Sequence, residues 1–109
     1  MSGSNTLVTA DSGGFRVDGP ITIELAPIVV ETGGALLAAA CAGHPDAPLS
    51  IDLSGLTEFD SAALGVLFEW RRRVVALGGQ LHFANLPAKL RTLAGLYGVE
   101  ALLVPTPGA

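Results

Sequence analysis

The stretch Leu49-Ser50-Ile51-Asp52-Leu53-Ser54-Gly55-Leu56-Thr57-Glu58-Phe59-Asp60-Ser61-Ala62-Ala63-Leu64-Gly65 contains a change of period that decides the fold. Its first five residues alternate apolar and polar, the two-residue repeat of a half-buried strand. Beyond Ser61 the apolar residues Leu64, Leu67, Phe68, Val74 and Val75 recur at helical spacing and form one face. The spacing therefore predicts a strand ending near Leu53, a short polar loop, and a helix opening at Asp60 or Ser61. Such a helix start presents free backbone N–H groups and the positive end of a helix dipole, which suits an anion or a docking partner. In the plainest reading, Asp60 or Ser61 is an N-cap worth about 1 kcal/mol and nothing more. Ala62, Ala63 and Gly65 leave the first turns open to close approach, either by another protein or by the rest of this domain. Spacing alone leaves both readings standing.

Three further stretches alternate like strands: Phe15-Arg16-Val17, Ile21-Thr22-Ile23-Glu24-Leu25 and Leu81-His82-Phe83-Ala84. Asp18-Gly19-Pro20 suits a turn between the first two. Two further helices are expected. One carries Val29, Gly33, Leu36, Leu37 and Ala40 on a single face and stops at Gly43-His44-Pro45. The other begins near Pro87, carries Leu86, Leu90, Leu93 and Tyr97, and stops at Gly98; Gly78-Gly79 stops the helix between them. The order β-β-α-β-α-β-α is that of an α/β fold with a largely parallel sheet and right-handed crossovers. Because the strands alternate, helices are expected mainly on one sheet face, with the other face partly wet.

The chain has 109 residues, enough for one core, and half of them are apolar while 15% are charged, far from the composition of a disordered chain. Residues 1–14 and 105–109 are expected to be flexible, flanking a single domain at 15–104. The N-terminus has no basic segment followed by an apolar block, and the longest apolar run, Ala35 to Ala42, falls short of the ~18 residues of a membrane span. A lone cysteine, Cys41, fits a reducing compartment, so the cytoplasm is the expected location. A net charge of −4 argues against nucleic acid or anionic lipid as direct partners. Arg71-Arg72-Arg73 lies late in a helix three and four residues after Glu69, and reads as a solvated, dipole-complementing face. His44, His82 and Cys41 show no metal-ligand spacing, and no cofactor is implied. Trp70 and Tyr97 read as packing residues. No nucleophile stands beside a base and no glycine loop has phosphate-binding spacing, so no catalytic residue is expected.

Ile51-Asp52-Leu53-Ser54, then Phe59-Asp60-Ser61 and Leu64-Gly65, resembles the signature of STAS domains, the anti-sigma factor antagonist fold. The resemblance spans about residues 15 to 103. It implies a four-stranded mixed sheet with helices mainly on one face. Leu93-Ala94-Gly95-Leu96-Tyr97-Gly98 is also similar to the matching helix of MlaB-type proteins, the STAS subunits of a phospholipid-trafficking ABC transporter. In the antagonists the motif reads Asp-Ser-Ser-Gly and the second serine is phosphorylated, whereas this chain has Ala62 and Ala63 there. MlaB-type proteins carry one hydroxyl residue directly after the aspartate, a position that falls on Ser61. The resemblance thus implies a non-enzymatic subunit that contacts the transporter's ATPase through Asp60, Ser61, Ala62, Ala63, Leu64 and Gly65, with Ser61 as a polar contact or phosphorylation site. It reaches the membrane only through the transporter. The alternative it implies is an anti-sigma factor antagonist that binds an anti-sigma kinase.

Overall fold

The computed structural model describes residues 6–11, 14–43, 48–99 and 103. Its elements are β1 (Leu7–Asp11), β2 (Gly14–Ile21), α1 (Ala26–Gly43), β3 (Leu49–Phe59), α2 (Ser61–Ala76), β4 (Leu81–Ala84) and α3 (Ala88–Leu96). The mixed four-stranded sheet and the alternation of strand and helix after the opening pair hold, but the opening pair is not the one expected, since β2 takes in Phe15–Val17 and β1 lies upstream of it. The strands lie in the order β1-β2-β3-β4, with β1 antiparallel to β2 and the other two pairs parallel.

Three strand boundaries differ from expectation. Leu7–Asp11, placed in a flexible N-terminal segment, is instead an edge strand with Val8 beside Val17 and buried in the core. Its stability comes from pairing with β2, which a local reading of Ser, Gly and Thr content does not register. The supposed turn Asp18-Gly19-Pro20 lies inside β2, and the register with β3 shifts between Arg16 and Asp18 and again between Gly19 and Ile21. These irregularities absorb the proline, which lacks a ladder donor and is tolerated within a sheet at such points. Ile21 ends β2, so 21–25 is not a strand: the Thr22 carbonyl accepts from the Leu25 and Ala26 N–H groups and turns the chain into α1.

The third difference concerns the decisive stretch. β3 does not stop near Leu53 but runs to Phe59, pairing Gly55 with Asp18 and Phe59 with Ile21. Gly55 makes this possible, because a Cβ there would lie 2.5 Å from the Val17 carbonyl oxygen. Only Asp60 then separates strand from helix.

One face of the sheet contributes Phe15, Val17, Ile51, Leu53, Leu81 and Phe83 to a core that also takes Val29 and Leu37 from α1, Leu67, Trp70 and Val74 from α2, and Leu90 and Ala94 from α3. The Trp70 indole N–H donates to the Val30 carbonyl at 3.0 Å and pins α2 to α1, so Trp70 is a packing residue as expected. Two residues assigned to buried helix faces are exposed. Val75 sits one step past Val74 and turns outward, and Tyr97 follows the end of α3. On the opposite sheet face Arg16, Ser50 and Asp52 are half-buried and His82 is exposed, the partly wet surface that alternation predicts. His44 and the tail 105–109 lie outside the described residues.

Candidate functional site

β2 and β3 are parallel, so their C-terminal ends bring the starts of α1 and α2 to one end of the sheet. Asp60 joins them. Its backbone is extended (φ −130°, ψ −167°), as an N-cap requires. One carboxylate oxygen accepts from the Ala62 N–H at 2.9 Å, and the other from the Ile23 N–H at 3.1 Å. The cap of α2 is thus also the clamp that holds the β2–α1 connection.

Helical geometry divides the residues that follow. Ser61 and Gly65 are exposed and Ala62 is half-buried, whereas Ala63 and Leu64 point into the core at 0% and 3% exposure. The side chains of Ala63 and Leu64 therefore pack mainly into this domain, and only an edge of Leu64 reaches the surface. The accessible part of the sequence-predicted site is Ser61, Ala62 and Gly65, with Asp60 behind them.

Two residues that sequence reasoning left out flank this surface. Ile23 is 71% exposed and, with Ala26, Val30, Ala62, Gly65 and Val66, lines an open groove of about 380 Å³ between α1 and α2. On the other side Ser61, Leu64 and Phe68 meet Tyr97 and Val99 from the end of α3 in a second groove of about 360 Å³. The one available signal was a large apolar residue beside a turn. At Ile23 the apparent strand alternation concealed it.

Further along α2, Glu69 accepts from Arg72 at 2.6 Å and from Arg73 at 2.9 Å, and Arg73 reaches Glu31 of α1 at 2.9 Å. Bonds from Arg72 and then Arg73 hold the Glu69 carboxyl down at about 2, and Arg73 also lowers Glu31. Two of the three arginines are thus committed to carboxylates of their own domain. On the open sheet face Asp52 accepts from the Asn85 side-chain amide at 3.0 Å and the Ser54 N–H at 2.9 Å, with Arg16 at 3.3 Å from its other oxygen. These bonds, Asn85's foremost, hold the Asp52 carboxyl at about 2. Among the described residues no group of three or more His, Cys, Asp or Glu is placed to hold a metal.

A family model described as "Mlab, STAS domain" matches residues 8–105. The chain belongs to the STAS domain family. Among solved structures this STAS domain is similar to an anti-sigma factor antagonist from Mycobacterium paratuberculosis, at 28% identity and a TM-score of 0.61, with 94% of this chain and 86% of that one covered. It also shares its fold with the anti-sigma factor antagonist SpoIIAA in its unphosphorylated form, at 13% identity and a TM-score of 0.55, covering 84% of this chain and 83% of that one. No curated protein matches the chain.

Proposed function

We propose that this STAS domain is a non-enzymatic, cytoplasmic subunit that docks on the ATPase of a phospholipid-trafficking ABC transporter and regulates it through the start of α2. The observation that carries the reading is Ser61 itself: an exposed hydroxyl on the first residue of α2, directly after the capping Asp60, with a methyl group at Ala62 where the antagonist motif has its second serine. The MlaB description of the matching family supports the same assignment. In this arrangement Asp60 fixes the helix end, Ser61 makes the polar contact, and Ala62 and Gly65 let the partner's backbone come close. A phosphate on Ser61 would gain from the helix end electrostatically but would wedge a closely fitted interface apart.

The test is co-purification of the domain with the ATPase subunit of such a transporter from the same organism, using the natural sequence, Ser61→Ala and Ser61→Glu. Ser61→Ala is expected to weaken the complex by about five- to tenfold, the loss of one interfacial hydrogen bond, and Ser61→Glu to abolish it. Unchanged binding by both variants removes Ser61 from the interface.

The similarity to the Mycobacterium paratuberculosis antagonist favours a second reading, in which the same surface binds an anti-sigma kinase and function is transcriptional. Ser61 is then the phosphate acceptor, because Ala62 has no hydroxyl. Transfer of phosphate to Ser61 by a neighbouring anti-sigma factor would establish this reading in place of the first.

A further inference from the structure

β2 and β3 are in register at Ile21 and Phe59, and beyond that pair both strands leave the sheet, one toward α1 and the other toward α2. There the link between them passes to a side chain. Asp60 accepts from the Ala62 N–H at 2.9 Å with one carboxylate oxygen and from the Ile23 N–H at 3.1 Å with the other. The turn after β2 does not hold the Ile23 N–H itself: its Thr22 carbonyl is taken by the Leu25 and Ala26 N–H groups.

Ile23 and Ala62 both line the groove between α1 and α2, Ile23 from the α1 side and Ala62 from α2, so the Asp60 carboxylate spans the head of that groove. Further along, Glu69 lines the groove and is paired with Arg73, which reaches Glu31 of α1. The groove is tied at two places, and the exposed Ser61 adjoins the first of them.

Both Asp60 oxygens belong to one planar group, so the two bonds are linked: whatever loosens the cap on α2 loosens the clamp on Ile23, and the reverse. An anionic group on Ser61 acts on that carboxylate in two ways. A phosphate there places a charge of about −2 on the residue next to Asp60, and its oxygens compete for the N–H groups at the start of α2.

We infer that Asp60 couples Ser61 to the turn at residues 22–25, so that an anionic group on Ser61 releases the Ile23 N–H and opens the head of the groove while the tie through Arg73 holds. The inference rests on the proposed role of Ser61 and adds how a charge placed there is read elsewhere in the domain. The coupling is a property of the free fold and needs no partner.

The experiment measures amide solvent exchange by NMR on the isotope-labelled full chain, in the natural sequence, in the same chain carrying a phosphate on Ser61 installed during synthesis, and in Ser61→Ala. The phosphate is expected to speed exchange at Ile23 about two- to tenfold, the loss of one hydrogen bond, and to shift the Glu24 and Leu25 resonances while Glu31 and Arg73 stay in place. Ser61→Ala should leave all of these unchanged. Asp60→Asn and Asp60→Ser form the second arm. Each keeps an oxygen for the cap and offers Ile23 no second acceptor, so each should speed Ile23 exchange alone and leave the phosphate nothing further to release. Ile23 exchange that is unchanged by the phosphate, unchanged in both Asp60 variants, or still accelerated by the phosphate in those variants would overturn the inference. Because the ATPase is absent, such a failure leaves the Ser61 co-purification result intact, and failure of the co-purification leaves the exchange pattern intact.

Discussion

Asp60 makes a different use of each carboxylate oxygen, and its replacement should show both. Asp60→Ala removes the cap on Ala62 and the clamp on Ile23 together, and is expected to cost about 2 kcal/mol in urea unfolding. Asp60→Asn keeps one oxygen for the cap and should cost less than half as much. Asp52 lends itself to a titration. Its folded value of about 2 lies below the ~3.9 of an unfolded aspartate, so its bonds contribute stability above about pH 4 that is lost as pH falls toward 2. Asn85→Ala should raise the Asp52 midpoint, read by carboxyl NMR. The stability gap between variant and natural sequence should then narrow as the solution is acidified through that range. At this scale the sequence disclosed which residue caps the helix but not the second role of Asp60. The Ile23 N–H arrives from 37 positions away, and no local motif encodes it.

Glycines on facing helices separate packing from docking. Gly33 of α1 is buried against the Trp70 ring, and a Cβ there would collide with it. Gly33→Ala should destabilise the domain by about 1–3 kcal/mol through displacement of Trp70. Gly65 of α2 is exposed with open space where its Cβ would go, so Gly65→Ala should raise stability by about 0.5–1 kcal/mol on helix propensity. Thermal melts of the two variants should move in opposite directions. If the groove is the docking site, the more stable Gly65→Ala protein binds its partner less well. Helical periodicity made α2 legible, including the burial of Leu64, Leu67 and Val74. Strand ends were less so. Ile21-Thr22-Ile23 alternates whether the chain continues straight or turns at Thr22, and only the Leu25 and Ala26 hydrogen bonds decide. Leu7–Asp11 becomes a strand because β2 lies beside it, and β3 continues past Leu53 because β2 does.

The whole molecule presents two unlike surfaces. The open sheet face is polar and internally bonded, with Arg16, Asp18, Asp52, Ser54 and Asn85 linked to one another. The end of the sheet at the α2 start is apolar and acidic, with exposed Ile23 and Tyr97 on either side of Ser61 and exposed carboxylates at Glu24 and Glu58. Large exposed apolar groups are better suited to contact than a network whose polar atoms already satisfy one another. The central claim is that the partner sits on the second surface. Hydrogen–deuterium exchange of the domain, free and mixed with the proposed ATPase partner, tests it most directly. Protection confined to residues 22–30 and 58–66 is the predicted result, and protection centred on the open sheet face around Arg16, Asp52 and His82, with the α2 start unchanged, would contradict it.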